Sequence, residues 1–288
     1  EFLKEGSAVE DFASPDRIII GTTNPAVREI FKQLYSPFMR RSNRIVFMDP
    51  ASAEMTKYAA NTMLAVRISF INQIAALCEA TGANVDLVRR GIGSDPRIGP
   101  SFLYAGGGYG GSCLPKDVRA LVSTGAENNI DMSIPRSAQE WNDYQKEVVL
   151  NKLTDELGDD LSGYRVAVWG LSFKAETDDI REASSLLIIP KLIDCGATVI
   201  AHDPKAMESA RNELPSEVEY VPDEYSACEG ADALLILTEW LQYRRPDFGR
   251  IKNILKRPLV VDGRNLFTPK KMKELGFTYL SIGRQDVR

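Results

Sequence analysis

The chain has 288 residues, 44% hydrophobic and 26% charged, an ordinary globular composition with room for two domains. Thirty-five Lys and Arg stand against 40 acidic residues, and the basic side chains are scattered, so the net charge of −5 gives no support for a nucleic-acid or membrane-surface partner. Four cysteines (Cys78, Cys113, Cys195, Cys228) lie far apart without a C-x-x-C pair, and His202 is the only histidine; a disulfide scaffold and a zinc site are poor readings, and a reducing cytoplasm is the default. The longest apolar runs, such as ADALLILT and RPLVVD, are strand-length rather than the roughly 20 residues of a membrane helix. No secretory leader is expected.

In chain order, RIIIGTT and RIVFMD flank a helical pattern from Pro25 to Tyr35, which predicts a β-α-β unit over residues 17–48. Two strands are too few to stand alone, so the expectation is a remnant of a larger sheet whose other strands lie upstream of Glu1. Asp49-Pro50 reads as an N-cap followed by proline at the first helical position, and no breaker follows before Gly82. A helix of thirty-odd residues spans on the order of 45 Å, enough to be the backbone of a domain or an interface. GANVDLVRRGIG and RSAQEWNDYQKEVVLNKLTDELG add further helices. From about Gly163, the strand-like runs YRVAVWG, ATVIAHD, ALLILTE and PLVVDG alternate with helical patterns such as ASSLLIIPKLIDCG, the mark of a parallel-sheet α/β domain. The fold expected is therefore α/β: a Rossmann-like remnant (1–48), a central helical domain with one long helix (49–158), and a C-terminal Rossmann-like domain (159–288). Gly170-Leu171-Ser172 is a degraded G-x-G turn. Asp203 sits at the next strand end, where such folds hold a ribose hydroxyl, and a strand-end cap is the other reading.

The stretch GGGYGGSCLPKD, residues 106–117, surrounds Cys113 with bare backbone. Glycines let backbone amides approach a ligand, and successive amides in turn conformations form an anion-binding concavity with the cysteine at its edge. Lys116 stands close enough in sequence to favour a thiolate, and Asp117 to handle protons. The other reading is a loop with an inert cysteine. On the long helix, Lys57 and Asn61 share a face at i, i+4, with Ala53 and Ala65 at the same spacing leaving room above them. Cys78 and Cys195 read as core cysteines, and His202 carries no assigned chemistry.

Five stretches in order, EFLKEGSAVEDF, KYAANTMLAVRISFINQIAALCE, GSDPRIGPSFLYAGGGYGGSCLPKDV, FKAETDDIRE and VVDGRNLF, resemble the motifs of the UDP-glucose 6-dehydrogenase and GDP-mannose 6-dehydrogenase family from Glu1 to the last residues. The resemblance implies NAD as cofactor and a four-electron oxidation of a sugar C6 alcohol to a carboxylate. It also implies that most of the NAD-binding domain lies upstream and that the isolated chain is inactive. By the same carry-over, Cys113 is the nucleophile that forms a thiohemiacetal and then a thioester, Lys57 and Asn61 stabilise the oxyanion, Asp117 handles a water, and Glu1 acts as acid/base in thioester hydrolysis. Phe2, Leu3, Phe102, Leu103, Tyr104, Gly110, Lys174 and Arg264 fall at the substrate, with Arg97 reaching the substrate of a neighbouring subunit. Glu5, Lys116 and Arg181 fall at NAD. The long helix is expected to carry a homodimer interface. EGSAVEDFASPDRIIIG and SFLYAGGGYGGSCLPKDV look more like the UDP-glucose branch than the GDP-mannose one. UDP-N-acetylhexosamine oxidation and a catalytically silent sugar-nucleotide-binding or dimerising fragment are the remaining alternatives.

Overall fold

The computed structural model describes residues 2–39 and 44–288. They fall into two compact units, Glu1–Met63 and Leu64–Arg288. In the first, α1 (Ala8–Ala13) precedes β1 (Ile18–Gly21), α2 (Pro25–Tyr35) and β2 (Ile45–Met48). β1 and β2 pair in parallel, from Ile18 opposite Ile45 to Gly21 opposite Met48, as the β-α-β reading requires. Asn24 caps α2 by accepting the Ala26 amide at 2.9 Å, and Pro25 sits where a missing N–H leaves no helical bond unmade. α1 carries no apolar periodicity and was not legible in the sequence.

α3 (Pro50–Thr81) starts where the sequence places it. Asp49 Oδ1 accepts the Ser52 amide at 2.9 Å and Oδ2 the Ser52 hydroxyl at 2.7 Å. By length and composition α3 is apolar enough to cross a membrane, a property the uninterrupted apolar runs do not reveal. Ala65, Ile71 and Ala75 are nevertheless fully buried against protein, while Met63, Phe70 and Leu77 remain exposed at seven-residue intervals. Ala65 does not leave open space: it packs with Tyr109 and Val118.

The second unit continues with α4 (Val85–Gly93), α5 (Leu114–Glu127) and α6 (Ser133–Leu157). Then β3 (Arg165–Trp169), α7 (Ser185–Asp194), β4 (Thr198–His202), α8 (Met207–Arg211), β5 (Glu219–Tyr220), α9 (Glu224–Cys228), β6 (Ala233–Ile236), α10 (Phe248–Ile254), β7 (Leu259–Asp262), α11 (Pro269–Leu275) and β8 (Thr278–Ser281) alternate. The six strands are parallel in the order β5-β4-β3-β6-β7-β8. The chain thus starts in the middle, winds outward through β4 and β5, and returns to the other side of β3. This is the doubly wound arrangement, with its switch point between β3 and β6.

Side chains of β3 alternate between two cores, as strand geometry dictates. Val166 and Val168 pack with Ile71 and Ala75 of α3, Val149 and Leu153 of α6 and Ile188 of α7. Ala167 and Trp169 pack on the other face with Ala227, Phe248, Ile251 and Met272. With both faces covered, β6 and β7 are buried along their whole length and read as continuous apolar runs.

Asp203 follows the capping reading and corrects the ribose one. It is fully buried. Oδ2 accepts the amides of Leu171 (2.7 Å) and Ser172 (3.1 Å) and the Trp240 indole N–H (3.0 Å), and Oδ1 accepts the amides of Lys205 and Ala206. No acceptor capacity is left for a sugar hydroxyl.

Candidate functional site

Cys113 is exposed and occupies the N-cap of α5, with φ −97° and ψ −60° and a proline in the first turn. Its Sγ lies 3.6 Å from the Ser112 hydroxyl oxygen. Its carbonyl accepts the Asp117 amide at 2.9 Å, closing the first turn. Asp117 is buried and pairs with the exposed Lys116 ammonium at 3.4 Å, so Lys116 serves a carboxylate in this structure.

The glycine loop is not an open concavity of amides, and this corrects the expectation drawn from its composition. Gly106 N–H donates to Asn72 Oδ1 at 2.9 Å, Gly107 N–H to the Gly263 carbonyl at 2.8 Å, and Gly111 N–H to the Arg181 carbonyl at 2.8 Å. Asn142 of α6 accepts the Tyr109 amide at 2.7 Å and donates to the Tyr109 carbonyl at 3.0 Å. Gln145, one turn along the same face, donates to the Gly106 carbonyl at 2.8 Å. Glycine is needed here because neighbours press in. A β-carbon on Gly110 would collide with the Glu182 carbonyl oxygen, and one on Gly111, at φ 83°, would sit 2.7 Å from the Phe173 ring.

What the stapled loop builds is one wall of a cavity of about 770 Å³. The cavity opens at the carboxyl ends of β3, β6 and β7, where doubly wound sheets hold their ligands. Phe173 and Lys174 follow β3, Glu239 and Arg244 follow β6, and Arg264 follows β7. α4 contributes Asp86 and Arg89.

The charges in this cavity are unevenly partnered. Asp86 pairs with Arg284 at 3.3 Å, and Glu239 pairs with Arg264 at 3.3 Å without hydrogen-bond geometry. Arg264 also donates to the carbonyls of Leu237 (2.7 Å), Phe173 (3.1 Å) and Gly108 (3.3 Å), holding three loops together. Arg89 lies over the Tyr104 ring, 4.3 Å from its centroid, and its Nε has no hydrogen-bond partner. Among the described residues, neither Arg89 nor Arg244 forms a hydrogen bond or ion pair. The acids are neutralised and two guanidinium groups are not, which suits a multiply charged anion.

Of the residues expected at the substrate, Phe102, Tyr104, Gly110, Lys174 and Arg264 line this cavity. Leu103, between two of them, turns the other way and is buried in the core. Arg97 is exposed and chelates Asp95, with Nη2 to Oδ2 at 2.6 Å. Arg181, expected at NAD, is exposed and binds Asp179 through Nε and Nη2 at 2.7 to 3.0 Å. In the first unit, the Phe2 ring lies under Lys57 Nζ at 5.4 Å and Arg17 at 4.0 Å, Leu3 is exposed, Glu5 is half-buried and Asn61 is buried. Glu1 lies outside the described residues. Sequence reasoning missed Arg89, Arg244 and Glu239. The apolar spacing of α4 puts Arg89 one turn past Val85 on the inward side, which is a usable signal, whereas nothing local marks Arg244.

Family comparison matches three segments of the chain to one family, described as UDP-glucose/GDP-mannose dehydrogenase: residues 1–39 to its NAD-binding domain, 51–144 to its central domain and 167–269 to its UDP-binding domain. The chain belongs to the UDP-glucose/GDP-mannose dehydrogenase family. Among its relatives are the UDP-glucose 6-dehydrogenases of Pseudomonas aeruginosa, 48% identical over 99% of the chain and 64% of that protein, and of Rhizobium meliloti, 44% identical over 99% of the chain and 66% of that protein. The solved structure of a UDP-glucose dehydrogenase from the archaeon Pyrobaculum islandicum superposes with a TM-score of 0.88 at 36% identity, covering 99% of this chain and 62% of that one. An NDP-N-acetyl-D-galactosaminuronic acid dehydrogenase from Methanosarcina mazei gives a TM-score of 0.83 at 29% identity, covering 99% and 61%. This family member therefore spans just under two thirds of the length of these relatives.

Proposed function

We propose that the chain carries the nucleotide-sugar site and the reactive thiol of an NAD-dependent UDP-glucose 6-dehydrogenase. The observation that carries the reading is the cavity at the switch point, where Arg89 and Arg244 have no ion pair among the described residues and the Cys113 loop forms one wall. Two guanidinium groups fit a diphosphate, and Lys174 and Arg264 stand in the same cavity for the rest of the ligand. The relatives named UDP-glucose 6-dehydrogenase favour that sugar over GDP-mannose or a UDP-N-acetylhexosamine.

In this reading Cys113 adds to the C6 aldehyde as a thiohemiacetal, whose oxidation gives a thioester that water hydrolyses, and NAD supplies the hydride acceptor for each oxidation. Cys113 stands exposed at the N-cap of α5, where it can meet a carbonyl carbon. Asp117, buried one turn on, orients the water. Lys57 and Asn61 are assigned to the oxyanion and Glu1 to hydrolysis on the family pattern. Support for the first two is their i, i+4 spacing on α3, which puts them on one face of that helix.

The described residues do not form a dinucleotide cradle by themselves. The turn after β1, Gly21–Asn24, lacks G-x-G-x-x-G, and the amides after Gly170 are bound to Asp203. The 288-residue chain alone is expected to make no NADH. Regions 1–48, 49–158 and 159–288 are taken as NAD-side, central and UDP-side portions, following the three family matches. A homodimer through α3 is supported by the exposed Met63, Phe70 and Leu77 stripe. The four free thiols support a reducing cytoplasm. The deciding assay is NADH production from UDP-glucose, GDP-mannose and UDP-N-acetylglucosamine, side by side, by a form with a complete NAD-binding domain. A preference for either of the last two would reject the UDP-glucose assignment.

A further inference from the structure

The loop after β3 ends in Arg181-Glu182, and Glu182 adopts φ 56°, a left-handed conformation that a residue with a β-carbon enters only at a cost. Its carboxylate is held from two sides. Lys146 of α6 donates to Oε2 at 3.1 Å and Arg119 of α5 donates to Oε1 at 3.0 Å. The Lys146 side chain is only 7% exposed, whereas the Glu182 side chain is 36% exposed, so water screens the pair from the carboxylate side only. Burial alone would push the carboxyl pKa up, but the two cations more than offset it and hold it below the ordinary glutamate value.

The carboxylate in turn fixes the backbone beside it. The Glu182 carbonyl oxygen fills the space a β-carbon on Gly110 would need, and the Arg181 carbonyl accepts the Gly111 amide at 2.8 Å. Those glycines immediately precede Ser112-Cys113, and Gly110, Phe173 and Lys174 line the cavity.

We propose that Glu182 is a positioning residue: bound to Lys146 and Arg119, its charge clamps the loop after β3 onto Gly110-Gly111 and so fixes one cavity wall and the approach to Cys113. The clamp stands on geometry; its effect on ligand affinity rests on the UDP-sugar reading. Residue-resolved amide exchange on the 288-residue chain tests it. In Glu182→Gln the Gly111 amide should exchange at least tenfold faster while the Gly107 amide, bonded to Gly263 outside the clamp, is unchanged, and the Kd for UDP-glucose should rise at least fivefold. Glu182→Gly suits the backbone angle but lacks the charge, and should behave like the Gln variant. Should Glu182→Gln fail to fold, Arg119→Gln removes the exposed tie alone and should speed Gly111 exchange about threefold through the loss of one of two charge-assisted bonds. Equal acceleration at Gly107 and Gly111, no change at Gly111, or wild-type behaviour of Glu182→Gly would overturn the clamp. A Gly111 response in a chain that binds no UDP-glucose would leave the clamp standing and reject the UDP-sugar reading.

Discussion

Asn142 Oδ1 accepts the Tyr109 amide at 2.7 Å and Asn142 Nδ2 donates to the Tyr109 carbonyl at 3.0 Å, so one fully buried side chain satisfies both backbone groups of the residue in the middle of the cysteine loop. Asn142→Ala strands both groups in the interior. The expected cost is about 2–6 kcal/mol, from roughly 1–3 kcal/mol for each of the two unmet buried groups. Thermal unfolding should show a drop on the order of 5–10 °C, and a variant that melts with the wild type would show that the loop does not depend on α6.

Arg89 and Arg244 are expected to bind the diphosphate. A charge-assisted hydrogen bond contributes roughly 1.5–3 kcal/mol, so Arg89→Gln and Arg244→Gln should each weaken UDP binding about tenfold or more. The dependence of affinity on salt should shallow in parallel, while uridine, which lacks phosphate, should bind all three proteins alike. Equal losses for UDP and uridine would assign these arginines to the base or the fold instead.

The single histidine gives a pH prediction. Burial holds the His202 imidazole below its ordinary 6.5, and Nδ1 lies 2.8 Å from the Tyr243 hydroxyl oxygen, whose own proton is donated to the His202 carbonyl. The fold therefore favours the neutral ring with Nδ1 protonated. Because the unfolded chain takes up a proton near pH 6.5 and the folded one resists it, this stabilisation is present above pH 6.5 and is lost as pH falls below it. Thermal melts between pH 7.5 and 5 should fall with acid, and His202→Gln should flatten that part of the profile. An unchanged slope in the variant would place the dependence elsewhere.

If the proposed function holds, then in a form with a complete NAD-binding domain Cys113→Ser should abolish conversion to the acid while leaving UDP-glucose affinity within about twofold, because the ester analogue forms and hydrolyses far less readily than a thioester. Wild-type turnover measured by NADH release would remove Cys113 from the chemistry.

Four of the six strands of the larger sheet were readable as short apolar runs between turn residues, and the starts of α2 and α3 by their caps, Asn24-Pro25 and Asp49-Pro50; the two-residue β5 was not, and α6 and α7 start without a side-chain cap. The glycine loop was only half readable. Its composition announces a crowded backbone, but the crowding comes from Gly263, Asn142, Glu182 and Phe173, all distant in sequence, so the amides looked available when they are bonded. Asp203 misled for the same reason: a strand-end acid looks alike whether it meets a ribose or six hydrogen-bond donors of its own fold. Leu103 was assigned to the substrate with its neighbours, but the chain turns at Phe102 (φ 59°), and Phe102 and Tyr104 line the cavity while Leu103 is buried in the core. Arg244 follows β6 on a 3-10 turn at Leu241–Arg244 and takes its meaning from the switch point alone.

The most direct test of the central claim is calorimetric titration of the 288-residue chain with UDP-glucose. The cavity residues, Cys113 loop, Arg89, Arg244, Lys174 and Arg264 all lie within Leu64–Arg288, so the chain should bind UDP-glucose, and UDP itself, without NAD and more tightly than GDP-mannose. No heat of binding with millimolar UDP-glucose or UDP would contradict the assignment of this cavity to a UDP-sugar.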